Sequence, residues 1–126
     1  MRDSTILIVD DEESLRLTFE MFLRREGYER VKVAGTLARA IELINSHSFD
    51  LIISDIVLEG DKGTDLLRHI RETGITCPVV MITGFPNLDS ASEAVRYGAF
   101  DYLSKPVNKE KLLKTVAQAL KYRELE

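Results

Sequence analysis

The chain predicts an α/β fold: a single doubly wound, five-stranded parallel sheet with helices on both faces. Three observations carry this expectation. Apolar runs such as Ile6-Leu7-Ile8-Val9, Leu51-Ile52-Ile53 and Val79-Val80-Met81-Ile82 are continuous and do not alternate with polar residues, which suits strands covered on both sides. Between them, apolar residues recur at helical spacing. The two patterns alternate along the whole chain, and successive βα units with right-handed crossovers build a parallel sheet.

Strands are expected near residues 5–9, 30–34, 50–54, 78–83 and 100–103. The first helix places Leu15, Phe19, Phe22 and Leu23 on one stripe and stops at Gly27. Thr36 can cap the second helix, whose stripe is Leu37, Ala40, Ile41 and Ile44. The third gathers Leu66, Leu67 and Ile70 and stops at Gly74; the fourth spans about Asn87 to Tyr97 and ends at Gly98. The last carries Leu112, Leu113, Val116, Ala117 and Leu120 on one side, and Lys121-Tyr122-Arg123-Glu124-Leu125-Glu126 reads as that helix still running.

With 126 residues, 44% hydrophobic and 30% charged, the chain suits one globular domain able to bury its own core. A formal net charge of -4 disfavours direct nucleic-acid binding by this domain. One cysteine, Cys77, cannot form an internal disulfide and suits a reducing compartment. No apolar run approaches the roughly 20 residues needed to span a bilayer, so the expectation is a cytoplasmic protein without membrane attachment.

Four of the strand-like segments end in groups suited to phosphoryl chemistry. The first ends in Asp10 and Asp11, the third in Asp55, the fourth in Thr83, and the fifth in Ser104 and Lys105. Taken singly, an acid pair before a helix is usually a cap, and a Lys-Pro step is usually a surface turn. In an open parallel sheet, however, the carboxyl ends of the strands share one edge. The order 2-1-3-4-5, that of flavodoxin-like five-stranded sheets, sets the ends of strands 1 and 3 side by side. Asp10, Asp11 and Asp55 then converge, with Thr83 and Lys105 beside them. Two carboxylates about 4 Å apart repel by roughly 4 kcal/mol at an effective dielectric near 20, so three call for a cation. The donors are all oxygen, which favours Mg²⁺ over zinc. Metal and ammonium together stabilise charge on a transferred phosphoryl group, and an aspartate can be the nucleophile.

The stretches Ile6-Leu7-Ile8-Val9-Asp10-Asp11-Glu12, Leu51-Ile52-Ile53-Ser54-Asp55-Ile56, Val80-Met81-Ile82-Thr83-Gly84 and Gly98-Ala99-Phe100-Asp101-Tyr102-Leu103-Ser104-Lys105-Pro106 resemble the receiver domain of two-component response regulators over nearly the whole chain. The segment from Ser92 to Tyr102 looks most like receivers of nitrogen-regulation-type transcriptional activators, a pattern also found in receivers fused to kinases. The resemblance implies a phosphorylation-activated switch that catalyses only its own phosphoryl transfer and dephosphorylation. Asp55 is then the phosphoacceptor, charged by a sensor histidine kinase. Asp11, Asp55 and the Val57 carbonyl would bind Mg²⁺, with Asp10 acting through water; Thr83, the Gly84 N–H and Lys105 would hold the phosphoryl group. It also implies a cis Lys105–Pro106 bond and a Thr83–Tyr102 switch that reshapes the surface of helix 4, strand 5 and helix 5. That surface would address an output domain, an effector protein or a second copy in a homodimer. Residues 1–122 would form the receiver, and 123–126 the start of a linker.

Several positions depart from the family's habit or sit outside its motif. Leu58 and Glu59 stand where methionine and proline are usual, which predicts either a looser or a more acidic loop after Asp55. Val57 and Phe85, two residues beyond Asp55 and Thr83, are apolar where the family flanks the path of the hydrolytic water, so slow self-dephosphorylation is expected. Ser14, Leu17, Thr18 and Met21 lie off the main stripe of the first helix, as scattered surface residues or as a kinase-docking patch. His47 and His69 read as solvated, and Cys77 as a small buried or loop residue. Two other classes stay open: a receiver-like domain acting through protein contacts without phosphorylation, and a Mg²⁺-dependent phosphatase. The complete set of acids, threonine and lysine argues against the first; the lack of an aspartate two residues past Asp55 and of a glycine-rich phosphate loop argues against the second.

Overall fold

Alternation of side chains along each strand organises the molecule. In the computed structural model, which describes residues 2–124, Leu7, Val9, Ile52, Val79 and Met81 face one side of a sheet, while Ile6, Ile8, Leu51, Ile53, Val80 and Ile82 face the other. Both sides are buried, which is why the strand sequences carry no polar alternation. The strands are β1 (Thr5–Val9), β2 (Arg30–Ala34), β3 (Leu51–Asp55), β4 (Val79–Thr83) and β5 (Asp101–Ser104). They pair in parallel in the order β2-β1-β3-β4-β5.

Among the described residues, five helices complete the layers: α1 (Glu13–Arg25), α2 (Leu37–Ser46), α3 (Gly63–Glu72), α4 (Leu88–Arg96) and α5 (Lys109–Glu124). Phe19 and Leu23 of α1 join Leu112, Val116, Ala119 and Leu120 of α5 on one face of the sheet. Ala40, Leu43 and Ile44 of α2, Leu66, Leu67 and Ile70 of α3, and Ala94 of α4 cover the other. Burying a side chain of Leu or Ile size stabilises by about 1.5–3 kcal/mol, so these two clusters dominate folding. The α4 helix contributes least to them: its buried residues are Ser90 and Ala94.

Strand and helix positions agree with the sequence reading to within a residue or two at the ends. Thr36 caps α2 by accepting a hydrogen bond from the Arg39 N–H, and Asn87 caps α4 from the Ser90 N–H. The acid pair does not cap α1: its N-cap position is Glu12, whose side chain makes no capping bond. Along α5, Ala119 lies in the core and Ala117 is half-buried. That helix continues through Glu124, so residues 123 and 124 are helical; the rest of the expected linker, Leu125 and Glu126, lies outside the described residues.

The loop after Asp55 is more ordered than its composition suggests. Val57–Leu58 pairs antiparallel with Asp61–Lys62, and Gly60 takes φ +76° at the turn between them. Leu58 is buried in the core against which α3 packs, while Glu59 points out to solvent. The expectation of a looser loop is thus corrected: a buried leucine and a two-residue hairpin hold it.

Arg71 of α3 closes the opposite pole. Its guanidinium donates to the carbonyls of Tyr97 (3.0 Å), Gly98 (3.0 Å), Ile75 (3.1 Å) and Cys77 (3.0 Å). One side chain therefore ties the C-terminal end of α4 to α3 and to the approach into β4.

Candidate functional site

The sheet order brings the ends of β1 and β3 together, because β1 and β3 are paired neighbours with Val9 opposite Ser54. Asp10 follows β1 directly and Asp55 ends β3. On the next strand, Ile82 lies opposite Asp55, and β4 ends at Thr83. Lys105 follows β5 and is pinned there by its N–H, which donates to the Thr83 carbonyl at 2.8 Å. Residues far apart in the chain thus meet at one edge.

Asp10, Asp11 and Asp55 each present a carboxylate oxygen within 4.8 Å of the others. Asp10 is 3% exposed and Asp55 6%, while Asp11 is exposed. The Lys105 ammonium lies 2.6 Å from Asp55 Oδ2 and 3.4 Å from Asp10 Oδ2. The second oxygen of each buried acid is also occupied: Asp55 Oδ1 accepts the Val57 N–H at 3.0 Å, and Asp10 Oδ1 accepts the Glu12 N–H at 2.9 Å. Asp10 acts here as a fixed acceptor that shapes the turn into α1. Arg16 adds to this by donating to the Asp10 carbonyl at 2.7 Å.

Two buried acids with one shared ammonium are incompletely neutralised. Burial pushes the Asp10 carboxyl above the usual aspartate range, and the charge of Asp55 adds to the rise. The Glu12 N–H and Lys105 oppose it without cancelling it. Burial alone would depress the Lys105 ammonium, but its hydrogen bond to Asp55 and the charges of Asp10 and Asp55 outweigh that and raise it. The donor set therefore suits a hard divalent cation: oxygen atoms only, closely spaced, with excess negative charge.

A raised native pKa at Asp10 means that folding favours its protonated form. The stability linked to Asp10 is present below the ordinary aspartate value, about 3.9, and is lost as pH rises through its higher native value. Lys105 behaves oppositely in range: its contribution persists through neutral pH and falls away only above the ordinary lysine value, about 10.4. In the presence of a chelator, Asp10→Asn is expected to stabilise the protein at pH 7 by about 1 kcal/mol, the scale typical of relieving one unfavourable charge. Urea unfolding should show the gain shrinking as pH falls toward 4, and Mg²⁺ should stabilise the native chain more than the variant. A gain that grows on acidification would contradict this account.

Thr83 and Gly84 occupy different positions around the pocket. Asp11, Asp55, Val57, Gly84, Phe85 and Lys105 border an open cavity of about 270 Å³. Thr83 is wholly buried, and its hydroxyl accepts the Phe85 N–H at 3.0 Å, which leaves its own hydrogen to donate. Tyr102 is half-buried on β5, with its hydroxyl at the start of α4, 2.7 Å from Ser90 Oγ and 3.3 Å from the Asn87 N–H. The Lys105–Pro106 bond is cis. On α1, Ser14, Leu17 and Met21 are exposed and Thr18 is half-buried, its hydroxyl donating to the Ser14 carbonyl. His47 is exposed and His69 half-buried on separate helices, and Cys77 is buried.

Residues that the sequence reading passed over also build the site. Gly63, the first residue of α3, has its N–H 2.6 Å from the Ile56 carbonyl, and a Cβ there would overlap the Asp55 carbonyl oxygen. A glycine opening a helix just after the acid-bearing loop was a usable signal. Arg16 and Ser90 had none, because their roles depend on contacts outside their own helices.

Comparison with known proteins agrees with this architecture. A family model described as the response regulator receiver domain matches residues 6–117. The response regulator protein PilR of Pseudomonas aeruginosa is 39% identical over 117 residues, 93% of this chain and 26% of the relative. The transcriptional regulatory protein ZraR of Klebsiella oxytoca is 36% identical over 120 residues, 95% of this chain and 27% of the relative. The chain thus spans about a quarter of the length of these curated relatives. Among solved structures, a CheY-like receiver domain protein from Methanospirillum hungatei JF-1 superposes with a TM-score of 0.93 at 32% identity, covering 98% of both chains. NtrX from Brucella abortus, solved with ATP, gives 0.88 at 34% identity, covering 97% of this chain and 28% of that one. A matching family model over most of the chain, relatives above 30% identity and close superposition on a receiver domain structure together mean that this chain belongs to the response regulator receiver domain family.

Proposed function

We propose that the domain is a Mg²⁺-dependent phosphorylation switch in which Asp55 accepts a phosphoryl group from the phosphohistidine of a sensor kinase. The observation that carries this is the joint placement of three carboxylates and the Lys105 ammonium at one sheet edge. Asp11, Asp55 and the Val57 carbonyl are the residues to hold the ion, with Asp10 contributing through water. When bound, the ion supplies positive charge to the phosphoryl oxygens.

The chain's own groups do the rest. An Asp55 carboxylate oxygen attacks phosphorus; the new O–P bond forms as the P–N bond breaks, its electron pair passing to the histidine ring. Lys105, 2.6 Å from Asp55, neutralises charge on the acceptor and then on the phosphoryl group. Gly84 borders the same cavity and would offer its N–H to a phosphoryl oxygen, and the Thr83 hydroxyl has a hydrogen to donate once it turns toward the pocket. Tyr102 responds, and the surface of α4, β5 and α5 carries the change to an output domain, an effector or a second copy. A relative from the structural comparison, the NtrC4 receiver, is described as a dimer when activated by beryllofluoride. The exposed Leu17 and Met21 on α1, with Ser14 and Thr18, form the face for kinase docking, and the cytoplasm is the place of action.

The test is incubation with a small phosphodonor and Mg²⁺, read by intact mass. One stable added phosphoryl group, which does not form when the metal is chelated beforehand, is the expected result. No adduct would favour a contact-only domain, and sustained turnover of free substrate a phosphatase.

The phosphorylated form should be long-lived. Val57 and Phe85 flank the cavity with exposed apolar side chains that cannot orient an attacking water. Introducing a polar side chain, as in Val57→Asn, should speed loss of the adduct roughly fivefold, the equivalent of about one hydrogen bond. Decay within seconds in the native chain, unchanged by the substitution, would refute this.

A further inference from the structure

The α4 helix is held very differently at its two ends. At the C-terminal end, Arg71 grips the Tyr97 and Gly98 carbonyls, each at 3.0 Å, and its other arm is fixed to the Ile75 and Cys77 carbonyls. In between, the helix buries only Ser90 and Ala94, while Leu88 and Val95 are each 81% exposed. At the N-terminal end, the hydrogen bonds reaching the first turn from another element, among the described residues, come from the Tyr102 hydroxyl of β5.

Those bonds form a directed set. The Ser90 hydroxyl donates back to the Asn87 carbonyl at 3.3 Å, and the Asn87 N–H donates to the phenol oxygen at 3.3 Å. The phenol hydrogen is then left to donate to Ser90 Oγ at 2.7 Å. Asn87 in turn caps Ser90 and donates from Nδ2 to the Phe85 carbonyl at 3.1 Å, while the Phe85 N–H holds the Thr83 hydroxyl. A chain of hydrogen bonds therefore runs from Thr83 to Tyr102 through the first turn of α4. Beside that turn lies an open cleft of about 390 Å³, bordered by Val57, Lys62, Thr64, Asn87, Ser90 and Glu93, which gives the turn space to shift.

A serine early in a helix commonly does no more than bond back to the cap residue. Here the longer 3.3 Å bond serves that role, and the shorter one crosses to another element. We propose that Ser90 is a positioning residue for Tyr102: its hydroxyl latches the phenol to the first turn of α4 while the Thr83 hydroxyl is turned to the Phe85 N–H, so the latch opposes the phosphoryl-bound arrangement. This rests on the switch reading above. With its far end clamped by Arg71, α4 pivots at the turn where the latch sits. The loss of one neutral hydrogen bond shifts the balance between the two arrangements about 2- to 12-fold.

The experiment measures binding of beryllofluoride in the presence of Mg²⁺ to the native chain, to Ser90→Ala, to Tyr102→Phe and to the double variant. The expected result is that Ser90→Ala binds severalfold more tightly than the native chain, and that the same substitution has no further effect in the Tyr102→Phe background. Ser90→Thr, which keeps a hydroxyl, should behave as the native chain does. Equal or weaker binding by Ser90→Ala, or an effect of the same size in both backgrounds, overturns the latch. Amide exchange at Asn87 supplies a readout that needs no phosphoryl analogue: it should accelerate in Tyr102→Phe and in Ser90→Ala, and unchanged exchange overturns the latch. Failure of the native chain to bind beryllofluoride, alongside accelerated Asn87 exchange, would instead count against the phosphoryl-switch reading.

Discussion

Asp55→Asn is expected to abolish the phosphoryl adduct formed with a small phosphodonor and Mg²⁺. The carboxamide matches the carboxylate in shape but offers no anionic oxygen to attack phosphorus. It also removes the acceptor of the 2.6 Å contact with the Lys105 ammonium, which retains Asp10 at 3.4 Å. The variant should nevertheless fold, since its Oδ1 can still accept the Val57 N–H and one charge leaves a crowded acidic cluster. Unfolding free energy within about 1 kcal/mol of the native chain, together with complete loss of labelling, is the expected pair of results. Labelling at the native level would move the acceptor to Asp10 or Asp11 and overturn the assigned mechanism.

Gly63→Ala should be the most damaging single-methyl change near the site. The reason is proximity and not backbone freedom, since Gly63 is not among the glycines with positive φ. Its added Cβ would overlap the Asp55 carbonyl oxygen and approach the Ile56 Cα to 3.0 Å, both backbone atoms with no rotamer to change. Relief requires α3 to separate from the end of β3, weakening the 2.6 Å bond from the Gly63 N–H to the Ile56 carbonyl. Overpacking of this kind costs about 3 kcal/mol, and urea unfolding would measure it. The folded fraction should also label more slowly, because the displaced backbone carries Asp55 and the Val57 N–H. Gly60→Ala provides the contrast: it is strained by φ +76° but has nothing within 4 Å, so about 1–2 kcal/mol and little change in labelling are expected. Equal effects of the two substitutions would contradict the steric account.

The acid cluster was legible early because each member closes a strongly apolar run. A run such as Leu51-Ile52-Ile53 marks a buried strand from local composition alone, and a parallel sheet sends all such strand ends to one edge. Thr83 and Lys105 followed by the same logic. The hairpin of Val57–Leu58 with Asp61–Lys62 was not legible: two-residue strands show no periodicity, and Leu58 reads as a loop residue until α3 is seen to pack beside it. Taken alone the Asp10-Asp11 pair reads as a helix cap, and only its place at the shared sheet edge favours the site; the helix in fact starts later, and Asp10 turns its second oxygen to Lys105 at 3.4 Å, 95 positions away.

What the amino-acid sequence determined by itself is the five long strands, the five helices and the polar groups at the strand ends, because apolar periodicity is a local property; the sheet order followed from the arrangement that five such βα units adopt. What only the tertiary structure decided is how that chemistry is held. Arg71 gripping four carbonyls, Gly63 pressed against the Asp55 carbonyl and Ser90 facing the Tyr102 hydroxyl are all contacts between separate elements. Their geometry depends on where the packed layers come to rest, and no neighbouring residue along the chain encodes that.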